Sequence, residues 1–278
     1  MSFIETTSKE KDKNIKLYYE DYGEGKPVIL IHGWPLSHRM WEYQIEEIVD
    51  AGFRCIAYDR RGFGDSDKPW DNYDYDSLAK DLNDIITKLG LSEVTLVGFS
   101  MGGGEVARYI GKYGTANLSK AALISAVPPF MLKTDDNPDG LEKDVFEGFK
   151  KEIRKDRQAF LQGFGKQFVN FEKVGDRISE EMLEYYWAIA CKASANASLK
   201  CIDSFGLTDF REDLKEFDVP TLVVHGNGDE VVPIEISGKK SADMIQDSKY
   251  HVIEEAPHGL VLTHTAEFNK ILLDFLKS

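Results

Sequence analysis

A serine in the middle of a glycine-rich turn is the first side chain in this sequence that could do chemistry. Ser100 lies within Gly98–Gly102, a stretch that fits the pattern G-x-S-x-G. The apolar, β-branched run Val94–Val97 before it predicts a buried strand, and Glu105–Ile110 after it predicts a helix. A serine at such a sharp strand-to-helix turn presents its hydroxyl at the top of a sheet and can act as a nucleophile. A plain glycine-rich turn is the alternative.

Backbone N–H groups near this serine could stabilise a negative charge that develops during the reaction. Met101 follows Ser100 directly, and its N–H lies at the start of the predicted helix, where the dipole favours anions. A second donor is expected in the turn after the apolar run Val28–Ile31. Pro35 has no N–H, which leaves the N–H of Trp34 as the candidate in that turn.

A serine hydroxyl is a weak nucleophile until a base removes its proton, and the usual base is histidine. The chain has six histidines. His258 follows the predicted strand Tyr250–Ile253, and open α/β sheets place their sites just past the carboxyl ends of strands. His225 lies inside the apolar run Leu222–His225 and is expected to be a core residue. The remaining histidines begin a strand, shape the turn after Val28–Ile31 or lie near predicted helices: His251, His32, His38 and His264.

The carboxylate that orients this base is expected after another strand. The predicted strand Thr221–His225 leads to Asp229, about thirty residues before His258. The neighbouring Glu230 is the alternative, but Asp229 directly follows the glycine turn and has the shorter reach. The sequence therefore predicts a triad of Ser100 as nucleophile, His258 as general base and then acid, and Asp229 as the orienting acid.

The order of predicted elements indicates an α/β fold. Strands and helices alternate over the first 120 residues or so, which implies parallel strands joined by crossover helices. From about Phe130 to Phe210 no convincing strand is found, and the strand pattern resumes at Thr221. We expect a core domain from residues 1–129 and 211–278, with a helical cap insert, residues 130–210, over the carboxyl edge of the sheet. A separate helical domain is the alternative.

The composition limits the partners. The net charge of −14 argues against nucleic acid or an anionic membrane surface as a partner. No stretch is apolar enough for a membrane span, and the first residues lack the apolar region of a signal peptide. Cys55, Cys191 and Cys201 have no zinc-site spacing, and neither a metal-binding motif nor a dinucleotide fingerprint occurs. We expect a cytoplasmic protein without a metal or other cofactor.

Several segments together resemble one known family. They are the stretches His32–Glu42, Tyr58–Pro69, Tyr73–Asn83 and Gly98–Gly114, and the pair formed by residues 226–229 and 257–259. The chain resembles the cofactor-free haloperoxidases, which are bacterial non-heme chloro- and bromoperoxidases of the α/β-hydrolase fold, and it is similar to the related aryl esterases. The resemblance covers nearly the whole chain; it is strongest over residues 28–130 and weakest in the helical insert.

The resemblance implies a mechanism. Ser100 forms an acyl-enzyme with a small carboxylic acid or ester, hydrogen peroxide attacks it in place of water, and the released peracid oxidises bromide or chloride. Members with a proline after the aromatic residue of the oxyanion turn are associated with this perhydrolysis, and Pro35 after Trp34 supplies that feature. The Trp34 carbonyl could then accept a hydrogen bond from the peroxide. Gly104, a third glycine after the serine, departs from the family pattern and is expected to loosen the start of the helix.

Two other functions are kept open. One is an ordinary carboxylesterase with incidental perhydrolysis, and the other is a non-catalytic binding protein with the same fold. Phe146, Phe164 and Trp187 of the insert are candidates to line an apolar pocket, with a core position as the alternative. The sequence leaves open the natural substrate and whether copies of the chain form a homo-oligomer.

Overall fold

The computed structural model describes residues 2–174 and 177–278, and within them an eight-stranded sheet forms the centre of the fold. The strands in chain order are β1 (Ser2–Glu10), β2 (Lys13–Tyr22), β3 (Pro27–Ile31), β4 (Arg54–Tyr58), β5 (Val94–Phe99), β6 (Leu118–Ile124), β7 (Thr221–Gly226) and β8 (Ser248–Ile253). Their order in the sheet is β1-β2-β4-β3-β5-β6-β7-β8. Strands β3 to β8 pair in parallel, while β1 and β2 pair antiparallel at one edge. The predicted mostly parallel α/β sheet is therefore confirmed.

The burial of the central strands and of the β1–β2 hairpin follows their sequence patterns. Every residue of β3, β5 and β7 is buried, as expected of apolar strands covered by helices on both faces. The β1–β2 hairpin alternates between buried and exposed positions over much of its length. Trp34, Ser100 and Asp229 come just after the carboxyl ends of the central strands β3, β5 and β7.

Helices pack on both faces of the sheet and over one of its edges. Within the described residues they are α1 (Glu42–Asp50), α2 (Tyr75–Lys88), α3 (Met101–Tyr113), α4 (Lys143–Phe168), α5 (Phe171–Val174), α6 (Glu180–Cys191), α7 (Ala195–Leu207), α8 (Arg211–Lys215), α9 (Gly238–Met244), α10 (Leu260–Thr263) and α11 (Thr265–Lys277). In α2 an apolar face that includes Leu78, Leu82 and Ile85 is buried, and Asp74 caps the first turn by accepting a hydrogen bond from Ser77 N–H at 2.9 Å. None of these helices combines the length and apolar character that crossing a bilayer requires.

The chain between β6 and β7 is largely helical. It contains α4 to α8, preceded by two isolated β-bridges, and α4 is interrupted at Asp156. Side chains from the end of α4 reach the loops after β3 and β8. The ring of Phe164 lies 5.3 Å from that of Trp34, and the ring of Phe168 lies 5.1 Å from that of His258. Helix α4 therefore covers the edge of the sheet where the parallel strands end.

Candidate active site

Ser100 stands at the turn between β5 and α3 in a strained conformation. Its φ of 54° and ψ of −119° lie in a region that costs a non-glycine residue on the order of 1–3 kcal/mol. Two backbone hydrogen bonds hold the turn, from Ser100 N–H to the Ile124 carbonyl at 2.9 Å and from Gly103 N–H to the Ser100 carbonyl at 3.0 Å. The strain presents the serine hydroxyl above the sheet, as the G-x-S-x-G pattern predicts.

Close packing explains two of the glycines that flank the serine. A Cβ on Gly102 would collide with the Ile31 carbonyl of the neighbouring strand. A Cβ on Gly104 would lie 2.6 Å from the ring of Tyr75, whose hydroxyl donates a hydrogen bond to the Met101 carbonyl at 2.9 Å. Gly104 therefore admits a ring that braces the start of α3, in contrast to the looser helix start expected from the sequence.

The structure brings the three predicted triad residues into one hydrogen-bonded line. His258 Nε2 lies 2.9 Å from Ser100 Oγ, and His258 Nδ1 lies 2.7 Å from Asp229 Oδ2. Because the carboxylate can only accept, Nδ1 carries the ring proton and Nε2 is left to accept from the serine hydroxyl. All three side chains are buried. This arrangement can remove the serine proton as the oxygen attacks an electrophile.

Asp229 is held as a carboxylate by four donors. Its Oδ1 accepts hydrogen bonds from the N–H groups of Val231 and Val232, at 2.9 and 2.8 Å. Burial by itself would raise the pKa of Asp229, but the electrostatic interaction with His258 and hydrogen bonds from His225 and His258 outweigh it and hold the pKa well below its usual range. Asp229 therefore remains ionised next to the histidine.

The alternative acid, Glu230, forms no hydrogen bond with His258 within the described residues, although it lines the same cavity as Ser100 and His258. Its side chain is half-exposed and forms an ion pair with Lys173 of α5. Such exposed pairs contribute little to stability. The geometry thus favours Asp229 over Glu230 as the partner of His258.

His225 is buried in β7, as the sequence indicates, but it also touches the acid. Its Nε2 lies 3.2 Å from Asp229 Oδ2 and 2.9 Å from the carbonyl oxygen of Val232. Since both oxygens are acceptors, Nε2 must carry the proton and donate it. Sequence reasoning missed this contact; the signal available was the spacing of four residues across the strand end and the turn.

The two predicted oxyanion donors follow adjacent parallel strands. Gly33 packs so closely against Ser100 that a Cβ on Gly33 would lie 3.1 Å from the serine Cβ, which places Trp34 in the next position of that turn. Within residues 2–174 and 177–278, no acceptor takes a hydrogen bond from the Trp34 N–H. Met101 is the first residue of α3, so its N–H has no acceptor within the helix. Both N–H groups are therefore available to an incoming oxygen.

A buried ion pair fixes the turn that carries Trp34. The Arg60 guanidinium donates to the His32 carbonyl at 2.7 Å and to Glu105 Oε2 at 2.7 Å, and Arg60 N–H donates to His32 Nε2 at 3.0 Å. Tyr58 also donates to Glu105. Burial, reinforced by the charge of Arg60, lowers the pKa of His32 to about 3, so that this ring is neutral and accepts. The network ties the turn after β3 to α3.

A cavity of about 200 Å³ opens directly above Ser100 and His258. Its wall is almost entirely apolar and includes Trp34, Val127, Met131, Leu141, Val145, Phe146, Phe149, Phe164, Phe205, Val231, Val232 and Pro233. Phe146 and Phe164 line it, as the sequence suggested. Trp187 does not; it lines a second, smaller cavity behind Phe164. The site is therefore a serine–histidine–aspartate line at the base of an apolar pocket.

The chain is similar to known proteins over nearly its whole length. A family model described as the alpha/beta hydrolase fold matches residues 26–265. A non-heme chloroperoxidase of Kitasatospora aureofaciens is 45% identical over 264 residues, which are 94% of this chain and 96% of that protein. A bifunctional esterase/perhydrolase of Acinetobacter calcoaceticus is 41% identical over 95% of this chain and 97% of its own. The crystal structure of a bromoperoxidase from Bacillus anthracis, 49% identical, superposes with a TM-score of 0.96 over 100% of this chain and 99% of that one.

Proposed function

The chain belongs to the α/β-hydrolase fold family and, within it, to the non-heme chloroperoxidases, and on that basis we propose that it forms an acyl-enzyme on Ser100 which hydrogen peroxide converts to a peracid. The observation that carries the proposal is the unbroken line of hydrogen bonds from Ser100 Oγ through His258 to Asp229 Oδ2, at 2.9 and 2.7 Å. Ester hydrolysis is the companion activity, with water as the nucleophile.

The first half of the reaction makes the acyl-enzyme. Ser100 Oγ attacks the carbonyl carbon of an ester while His258 Nε2 takes the hydroxyl proton, and Asp229 stabilises the imidazolium that forms. The negative charge moves to the former carbonyl oxygen, where the N–H groups of Trp34 and Met101 donate to it. The intermediate then expels the alcohol, which receives its proton from His258.

The second half transfers the acyl group to peroxide. Hydrogen peroxide attacks the acyl carbon and gives a proton to His258, which returns it to Ser100 as the peracid leaves. Within the described residues the Trp34 carbonyl accepts no hydrogen bond, so it is free to accept one from the peroxide. The peracid then oxidises bromide or chloride to the hypohalous acid and becomes the carboxylic acid. These reaction steps require no metal or organic cofactor.

The pocket favours a neutral acyl donor. At about 200 Å³ it exceeds the roughly 150 Å³ of an apolar protein cavity that binds benzene, so it has room for a small aliphatic or aryl acyl group. No lysine or arginine of the described residues lines it. A free carboxylate would lose its hydration without gaining a cation, which is unfavourable. Esters, or acids in their protonated form, are therefore the expected donors.

We also propose that residues 130–210 act as a cap on a core of residues 1–129 and 211–278. Support comes from Phe146, Phe149 and Phe164, which lie on α4 and line the same cavity as Ser100. Met1 and residues 175–176 of these ranges lie outside the described part of the chain. The free cysteines Cys55, Cys191 and Cys201 suit a reducing compartment, and we place the protein in the cytoplasm.

The second candidate function is an ordinary carboxylesterase, which would use the same triad with water. The relative named as a bifunctional esterase/perhydrolase favours keeping both activities in view. A binding protein without catalysis is the third candidate, and the aligned triad argues against it.

One paired assay separates these functions. Chelator-treated protein is given p-nitrophenyl acetate, and in parallel hydrogen peroxide, bromide, monochlorodimedone as the halogen acceptor, and acetic acid at an acidic pH where part of it is in the neutral form. The proposal expects ester cleavage and bromination, both lost in Ser100→Ala. Ester cleavage without bromination would favour the carboxylesterase, and neither activity would favour the binding protein.

A further inference from the structure

Phe164 separates the pocket above Ser100 from a second cavity. The second cavity, about 30 Å³, lies between the turn after β3 and helices α4 and α6, and its wall is apolar and aromatic. Phe164 lines both cavities. Phe168, which also lines the second cavity, packs its ring 5.1 Å from that of His258. The second cavity therefore lies beside His258, and Phe164 forms the wall between this cavity and the pocket above Ser100.

The backbone that carries this ring has a glycine on each side of it, of which Gly165 lines the second cavity. Phe164 is flanked by Gly163 and Gly165 within α4. A Cβ added to either glycine would meet nothing within 4 Å, and neither glycine has the left-handed φ that favours this residue type. Glycine in a helix interior is unfavourable relative to alanine, because it loses more backbone entropy on folding. The pair therefore weakens the helix on both sides of the dividing ring, and no packing contact accounts for it.

We propose that Phe164 is a movable partition and that the second cavity is a subsite for the distal end of a long acyl chain. When the ring turns aside, the pocket, the space vacated by the ring and the second cavity become one apolar channel that starts at Ser100. Chains of about eight carbons, or phenylalkanoyl groups, would reach the subsite, whereas an acetyl group would not. The inference rests on the proposed acyl transfer at Ser100.

Removing the ring tests the subsite. In Phe164→Ala we expect the kcat/KM for p-nitrophenyl octanoate, divided by that for the acetate, to rise about tenfold or more over the parent, because further methylenes become buried. Phe160→Ala is the matched control. Phe160 stacks on Phe164 with ring centroids 6.0 Å apart but lines neither cavity. In Phe160→Ala the octanoate-to-acetate ratio of kcat/KM should stay within about twofold of the parent value. An unchanged ratio in Phe164→Ala, or an equal rise in both variants, would overturn the proposal.

Stiffening the helix tests the movement. Gly163→Ala adds a methyl group in open space, so acetate turnover should be unchanged while octanoate turnover falls about threefold or more, since the ring opens less often. Gly148→Ala, in the first half of α4 and equally unobstructed, should alter neither. In the Phe164→Ala background, Gly163→Ala should have no effect on octanoate. If Gly163→Ala leaves octanoate turnover of the parent unchanged, the partition is fixed.

A binding measurement separates failure of this inference from failure of the proposed function. The affinities of butanamide and octanamide, neutral and unreactive, are measured by calorimetry in the Ser100→Ala background with and without Phe164→Ala. Phe164→Ala should raise the affinity for octanamide, relative to the affinity for butanamide, by about tenfold. This test holds even if the protein cleaves no ester. Equal gains for both amides would rule out the subsite on their own.

Discussion

His225 Nε2 lies 3.2 Å from Asp229 Oδ2, the same oxygen that accepts the hydrogen bond from His258 at 2.7 Å. Two histidines therefore donate to one oxygen of Asp229, and two backbone N–H groups donate to the other. A carboxylate whose oxygens accept four hydrogen bonds from fixed directions cannot rotate without losing one of them. Its orientation toward His258 is therefore built into β7 and the turn that follows it.

Replacing His225 should impair catalysis through the position of Asp229. A hydrogen bond to a charged group contributes about 1.5–3 kcal/mol, so His225→Ala should lower kcat by about tenfold or more. His225→Gln keeps a side-chain N–H donor and should recover most of that loss. The measurements are kcat and KM for p-nitrophenyl acetate together with Tm for each variant. Equal losses in both variants would indicate that His225 acts only through packing.

Asp229→Asn should leave the fold intact but reverse the hydrogen-bond direction at His258 Nδ1. The histidine would then present the wrong tautomer to Ser100, and in serine hydrolases that change lowers kcat by about 10,000-fold. Glu230→Gln is the matched control, because the half-exposed Glu230 pairs with Lys173, and its kcat should stay near that of the parent. Steady-state ester hydrolysis checks both. A large loss in Glu230→Gln with a small one in Asp229→Asn would exchange their roles.

The neutral His32 should make the protein less stable in acid. Burial and the charge of Arg60 lower the pKa of His32 to about 3 from the ordinary value of 6.5. Below about pH 6.5 the unfolded chain takes up a proton that the folded protein does not. The free energy of unfolding therefore decreases as the pH is lowered from about 6.5 to about 3. His32→Gln keeps an acceptor for Arg60 N–H and removes this titration. Denaturant unfolding from neutral to acid pH should show a shallower decline in the variant, and parallel curves would contradict the assignment.

Pro35 should influence the rate of perhydrolysis more than the rate of hydrolysis. If the Trp34 carbonyl accepts a hydrogen bond from peroxide, Pro35→Leu, which frees that position's φ, should displace the carbonyl. One such hydrogen bond is worth about 1 kcal/mol, so the ratio of perhydrolysis to hydrolysis should fall about fivefold. Both rates are measured on one acyl donor at several peroxide concentrations. A ratio that stays at the parent value would remove the Trp34 carbonyl from the mechanism.

The hydrogen-bonded line of Ser100, His258 and Asp229 was predictable because each residue comes just after a strand of one parallel sheet. Ser100 and Asp229 follow the buried apolar strands β5 and β7, and His258 follows β8, which pairs in parallel with β7 although most of its residues are exposed. The carboxyl ends of parallel strands share one edge. That topological rule converts strand ends far apart in sequence into neighbours. The G-x-S-x-G turn and the glycine turn before Asp229 mark where the chain leaves the sheet.

Contacts across elements could not be predicted in the same way. The apolar run of β7 placed His225 in the core, but its reach to Asp229 depends on how the following turn folds back. Similarly, periodicity marks the aromatic residues of the insert without fixing which way each helix faces. Phe164 therefore proved to border both the cavity above Ser100 and the second cavity, whereas Trp187 lines the second cavity but not the one above Ser100. The role of Gly104 depended on a ring from α2, which no local pattern specifies.

The proposed reaction depends on an acyl group that Ser100 carries and that peroxide removes. Protein mixed rapidly with p-nitrophenyl acetate is quenched in acid, digested and analysed by mass spectrometry, with and without hydrogen peroxide. We predict one acetyl group on the peptide that contains Ser100, on that serine, and faster loss of it as peroxide increases, with peracetic acid as the product. An acetyl group on another residue, or loss at a rate independent of peroxide, would contradict the account.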